Sequence, residues 1–191
     1  MATETGVPGP AVWVDLAIGL LAGLAATHVT NLAQKPLKGI TPDSVDRHEK
    51  KVRPGASSSL VAARKLAHAL DISPSPRQEE RLGRAIHFAT GIGWGPVYGA
   101  LRRYGGLGPV GAALTSGAAM SLVLDEALVP ALGLSAPNHH YPAVTRVRGF
   151  VAHLVYGAAV GIATEGLRRL AQRPTQRRTA RRGPGATRPI H

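Results

Sequence analysis

The strongest constraint on the fold is a stretch of 23 residues, 11–33, that carries a single charge, Asp15. As an α-helix it would be about 34 Å long, which is enough to cross the hydrocarbon core of a bilayer. A helix of this length in a soluble protein has a polar face, and this stretch lacks one. We therefore predict a membrane-spanning helix here, with a buried soluble helix as the alternative.

Three further apolar segments follow, at residues 85–103, 107–132 and 149–170. The mean hydropathy of 0.00 hides them, because it averages apolar segments with strongly basic ones. The sequence predicts an all-α integral membrane protein, a four-helix bundle made of two repeated helical hairpins. The remaining regions are an N-terminal tail (1–10), a charged extramembrane loop (34–84), a short loop (133–148) and a disordered Arg-rich C-terminal tail (171–191).

The charged loop has 11 basic and 6 acidic residues, and part of it has helical periodicity. One face of the stretch "SSSLVAARKLAHAL" is apolar, and the opposite face carries Arg64, Lys65 and His68. We predict two short amphipathic helices lying on the membrane surface, with a solvated linker as the alternative.

Two seventeen-residue stretches resemble each other: "HFATGIGWGPVYGALRR" begins at His87 and "HLVYGAAVGIATEGLRR" begins at His153. Six positions are identical, which indicates either a duplicated hairpin or convergence on one way of packing helices. Glycines spaced by four residues allow two helix backbones to approach closely. The predicted packing residues are Gly19, Gly23, Gly91, Gly95, Gly157 and Gly161.

The charge of the chain is +12, and eight arginines follow residue 167. Beside an apolar helix, a basic tail favours anionic lipid over nucleic acid as its partner. The arginine pairs that end two of the helices are predicted to contact lipid headgroups: Arg102, Arg103, Arg168 and Arg169. The positive-inside rule then predicts that both termini lie in the cytoplasm. The absence of cysteine excludes disulfides, thiolate catalysis and cysteine-ligated zinc.

The candidate functional residues lie toward one side of the predicted bundle. Acids in a membrane are costly and therefore tend to be functional, and histidine titrates between pH 5 and 8. The predicted pH-responsive or cation site comprises His28, His87, Asp125, Glu126 and His153. Ordinary interfacial side chains are the alternative. No metal-ligand spacing or catalytic constellation stands out, so we predict no metal, no cofactor and no enzymatic reaction.

The stretches "AIGLLAGLAA", "GLSAPNHHYP" and "GFVAHLVYG" resemble the YagU-like family of bacterial inner-membrane proteins, most closely over residues 130–170. The resemblance implies a role in resistance to acid stress and supplies no catalytic residues. Two functions stay open at this point. One is a structural or pH-responsive membrane protein that acts through partners. The other is a small transporter or proton or cation conductor, which would require a homo-oligomer because four helices enclose little space.

Overall fold

The computed structural model describes residues 10–39, 41–52 and 56–180, which form helices joined by turns and contain no strand. The prediction of an all-α chain is therefore confirmed for these residues. A π-helical segment, Ser121–Leu128, joins α5 to α6, and a 3-10 turn, Asn138–His140, precedes α7. The helices are α1 (Pro10–Gly39), α2 (Asp43–Val52), α3 (Ser58–Ala69), α4 (Pro76–Arg103), α5 (Pro109–Met120), α6 (Val129–Ala131) and α7 (Ala143–Ala180).

Three helices are long and apolar enough to cross a membrane: Val12–Pro36 in α1, Pro109–Ala131 from α5 to α6, and Ala143–Ala171 in α7. Helix α4 contains the fourth predicted span but is less apolar, because glycines, a proline and His87 dilute its aliphatic residues. The described part of the chain thus has three candidate membrane-spanning helices, where the sequence predicts four.

Local capping signals start helices inside the charged loop. The Ser57 hydroxyl accepts a hydrogen bond from the Leu60 backbone N–H at the start of α3, at 3.3 Å. The Ser75 backbone N–H donates to the Gln78 side chain at 2.7 Å, and Pro76 occupies the first turn of α4. The Ser75 cap explains why α4 begins at Pro76, well before residue 85, where the apolar segment begins.

The ends of the chain differ from the prediction in one respect. Helix α7 continues through residues 171–180, which the sequence assigns to a disordered tail. Alanine, glutamine and arginine are frequent in this stretch and favour helix. The rest of the predicted C-terminal tail, residues 181–191, and residues 1–9 of the N-terminal tail lie outside the described residues.

The backbones of α1 and α4 touch where their glycines meet. A Cβ atom added to Gly23 would lie 2.7 Å from the Gly91 carbonyl oxygen, and one added to Gly19 would lie 2.7 Å from Pro96 Cα. The two helices are antiparallel, since the start of α1 lies near the end of α4. A glycine at these positions is required because any side chain would force the helices apart.

Helices α5 and α7 pack in the same way. A Cβ atom on Gly117 would lie 2.5 Å from the His153 carbonyl oxygen, and one on Gly157 would lie 3.1 Å from Gly117 Cα. Gly161 faces the ring of Tyr98, which belongs to α4. Each of the six glycines predicted to pack therefore faces a neighbouring helix.

The two hairpins do not repeat in the register of the sequence similarity. A Cβ atom on Gly95 would contact the Gly19 carbonyl oxygen and the N and Cα atoms of Gly23. A Cβ atom on Gly157 would likewise contact a carbonyl oxygen, that of Ala113, and the N and Cα atoms of the glycine four residues later, Gly117. By its packing, Gly95 in the first hairpin corresponds to Gly157 in the second, although the sequence similarity aligns Gly95 with Gly161. Because the glycines are four residues apart, the structural correspondence is offset by one helical turn from the sequence alignment. His87 and His153 are therefore not structurally equivalent.

The outward faces of these helices are apolar, whereas alanines and glycines are buried where the helices touch. Leu21 is 58% exposed and Ile162 is 77% exposed, while Ala22 and Ala112 are fully buried. Large aliphatic side chains that point outward are typical of a protein surrounded by lipid. This distribution supports membrane spanning independently of helix length.

Candidate functional site at the histidine-bearing end

The two ends of the helix bundle carry different chemistry. Asn31 of α1 and His87 of α4 meet at one end, together with Asp125 and His153. We call this the histidine-bearing end. The opposite end, where Asp15 meets the arginines that end α4 and lie on α7, is the arginine-bearing end.

His153 and Asp125 form the closest contact within the predicted site. His153 Nδ1 lies 3.3 Å from Asp125 Oδ2 and 2.9 Å from the Gly149 carbonyl oxygen. Both neighbours are acceptors, so Nδ1 carries a hydrogen in this arrangement. The side chains are 20% and 35% exposed, which leaves the pair accessible to solvent protons.

Asp125 and Glu126 lie in the π-helical segment and serve different partners. The Asn138 side-chain amide donates to Glu126 Oε1 at 2.5 Å, which connects Glu126 to the loop before α7. The Val129 N–H bonds to the Leu124 carbonyl, five residues earlier, as the wider π-helix requires. Such segments are frequent at functional sites because they redirect side chains.

His28 and His87 form a separate group between α1 and α4. His87 Nε2 lies 3.1 Å from Asn31 Oδ1, and the His28 ring lies 4.9 Å from the ring of Phe88. The structure therefore brings together only part of the predicted site: Asp125 with His153, and Glu126 with the loop. Among the described residues, no group of three or more histidines or acids is arranged to hold a metal ion.

A polar cavity of about 130 Å³ adjoins Asp125. Its walls come from the start of α3, the π-helical segment, the loop at 133–142 and the start of α7. The polar lining residues are Ser58, Asp125, Ser135, Asn138, Tyr141, Thr145 and Arg146. The Ser135 and Tyr141 hydroxyls are 2.5 Å apart, which fixes the loop across one wall.

The charged loop packs against this end of the protein. Arg148 of α7 donates to Glu49 of α2 at 2.7 Å, and Lys65 of α3 donates to the Leu132 carbonyl at 2.7 Å. On α3, Ala63 and Ala67 are buried, and α3 packs along α4. Helices α2 and α3 thus form a cap on this end of the protein, and their lying on the membrane surface stays a prediction. The apolar face of α3 is consistent with either surface, and sequence alone does not distinguish them.

The arginine-bearing end holds an ion-pair network that the sequence did not predict. Asp15 accepts from Arg103 at 2.7 Å and from Arg168 at 3.1 Å. Glu165 accepts from the Tyr98 hydroxyl at 3.0 Å and from Arg102 at 3.1 Å.

Three of the four arginines predicted to contact lipid therefore have acidic partners within the protein, and the exposed Arg169 forms no ion pair with the described residues. The physical reason is proximity, because helix packing brings acids from α1 and α7 to the level of the arginines. The one feature of the sequence that could have indicated this network is Asp15, the single charge in residues 11–33.

Fold and site together define an all-helical protein with helices suited to a membrane and a polar, capped end. No protein-family model, curated protein or solved structure matches the chain.

Proposed function

We propose that the chain is a multi-pass membrane protein without an enzymatic reaction, and that its histidine-bearing end responds to pH. In this proposal α4 is a fourth crossing, which completes a bundle of two hairpins. Helix α4 packs against α1, α5 and α7, so fewer of its side chains need to face lipid. Its lower hydropathy is compatible with crossing because close packing and backbone hydrogen bonds stabilise such a helix.

The contact between Asp125 and His153 is the observation that carries the pH response. Histidine is the side chain that ordinarily changes charge between pH 5 and 8. When His153 gains a proton, its contact with Asp125 becomes an ion pair and draws α7 toward the π-helical segment.

The effect of His153 protonation reaches the loop at 133–142 through Glu126. Glu126 follows Asp125 in the chain and accepts the hydrogen bond from Asn138. A shift of the π-helical segment therefore acts on the loop at 133–142. We propose that the order of this loop is the output of the response, and that a partner protein recognises it.

The cellular setting is proposed from the sequence. The resemblance of residues 130–170 to the YagU-like family supports the bacterial inner membrane and a role in acid stress. The Arg-rich tail supports cytoplasmic termini and a contact with anionic lipid.

Cysteine labelling of the loop tests the pH response. The chain has no cysteine, so Ala136→Cys creates a unique thiol in the wall of the cavity. The labelling rate is measured from pH 8 to pH 5 in this background and in the same background with His153→Gln. Because both proteins carry the same thiol, the intrinsic pH dependence of the thiol cancels in the ratio of the two rates.

The expected result is a ratio that changes across the titration range of histidine. The matched control is His28→Gln, which removes a ring that contacts Phe88 and should leave the profile of the Ala136→Cys protein unchanged. If the labelling rate depends on pH in the same way with and without His153→Gln, the Asp125–His153 pair has no part in the mechanism.

A second candidate function is a proton- or cation-conducting oligomer, which the buried polar groups near α7 favour. The Ser116 and Thr164 hydroxyls are buried without a hydrogen-bond partner among the described residues. Val160 is fully buried between Tyr156 and Thr164 and interrupts the polar line in a single chain. Proton flux into proteoliposomes under a pH gradient tests this candidate. Flux equal to that of empty liposomes contradicts it and leaves the pH-responsive role standing.

A further inference from the structure

The cavity beside Asp125 contains charges of both signs. The Asp125 carboxylate, which contacts His153, lies on the π-helical segment, and Arg146 reaches the cavity from the start of α7. Arg148, one position removed along the same helix, is paired with Glu49. Arg146 forms no ion pair with any carboxylate in the described ranges, so its charge is available at the rim of the cavity.

A ligand that suits this cavity has a cationic and an anionic group. A guanidinium binds a carboxylate through paired N–H donors, and a carboxylate binds an ammonium group. A simple anion would face the Asp125 carboxylate, and a simple cation would face Arg146. A zwitterion satisfies both charges together and keeps its own net charge at zero.

Size and wall chemistry narrow the ligand further. The cavity has a volume of about 130 Å³. A cavity of about 150 Å³ in another protein holds benzene, so about six to eight non-hydrogen atoms fit here. Val129, Ala136 and Gly149 supply a small apolar part of the wall. This part matches a methyl or methylene group and leaves no room for a large side chain.

We propose that this cavity binds a small zwitterionic amino acid of about the size of alanine, with its carboxylate at Arg146 and its ammonium group at Asp125. The proposal deepens the proposed function and rests on it, because Asp125 belongs to both the ligand site and the pH-responsive pair. Bound ammonium competes with protonated His153 for the same carboxylate. The ligand therefore couples to the response of the loop.

Equilibrium binding of radiolabelled L-alanine to the purified full-length protein, at one fixed pH near neutrality, tests the proposal. The expected result is saturable binding that unlabelled glycine and L-alanine displace, and that acetate and ethylamine at equal concentration do not. Arg146→Gln and Asp125→Asn should each weaken binding by about tenfold or more, since each removes a charged hydrogen-bond partner. Arg81→Gln is the matched control, because Arg81 is an exposed arginine on α4 outside the cavity.

Three results overturn the proposal: no saturable binding to the folded parent protein, displacement by acetate alone, or equal weakening by Arg81→Gln. A size-exclusion profile identical to that of the parent shows that each variant is folded. The pH profile of the loop is measured without amino acid, so its outcome is independent of this one. Loss of binding with an intact pH profile rejects the ligand and leaves the pH response standing, whereas the reverse result rejects the pH response alone.

Discussion

Arg148 of α7 and Glu49 of α2 form an ion pair of 2.7 Å whose side chains are only 18% and 14% exposed. The pair fastens the first helix of the charged loop to the bundle. Thr145, one turn earlier on α7, donates a second hydrogen bond to the same carboxylate at 2.5 Å. Glu49 therefore anchors α2 to α7 through two side-chain donors.

Glu49→Ala should release α2 from α7. Removing one partner of a largely buried pair leaves Arg148 without its counter-charge, which should lower the free energy of local opening of α2 by about 2–3 kcal/mol. Hydrogen exchange of the α2 amides measures this change. The control on the same helix is Asp46→Ala, whose partner Lys50 is at the surface, and it should leave exchange unchanged. Equal exchange in the two variants would contradict the docking role of Glu49.

Gly95→Leu should destabilise the contact between α1 and α4. A Cβ atom at Gly95 would lie 2.9 Å from Gly23 Cα, so a larger side chain must push two backbones apart. We expect a loss of about 1–3 kcal/mol, measured as a lower Tm in detergent. Gly93→Leu is the matched control, because a Cβ atom there meets nothing within 4 Å. The packing account fails if both variants melt at the same temperature.

Asp15→Asn tests the ion-pair network at the arginine-bearing end. The substitution keeps the shape of the side chain and removes the charge shared by Arg103 and Arg168. The side chain is 29% exposed, so solvent reduces the cost, and we expect a loss of about 2 kcal/mol in the free energy of unfolding. Arg169→Gln should have no measurable effect. A larger loss from Arg169→Gln than from Asp15→Asn would favour the predicted lipid contact over the network.

The sequence predicted the apolar spans and the small residues between them, because both follow from local composition. It also assigned Asp125 and His153 to one side of the bundle, since topology alone fixes the side. Their direct contact depends on the π-helical segment and on the register in which α7 packs against α5, and neither has a signal in the residue pattern. The pairing of Asp15 with two arginines and the docking of Glu49 on Arg148 likewise depend on long-range packing.

The sidedness of single cysteines in sealed vesicles tests the central claim, that four helices of this chain cross the membrane, most directly. Three positions are used: Ala69 at the end of α3, Tyr104 after α4, and Ala136 in the loop before α7. An impermeant maleimide should label Ala69→Cys and Ala136→Cys from one side and Tyr104→Cys from the other, and the protein should stay in the pellet on carbonate extraction. Labelling of Ala69→Cys and Tyr104→Cys from the same side, as three crossings without α4 would give, or release of the protein into the supernatant, would contradict the account.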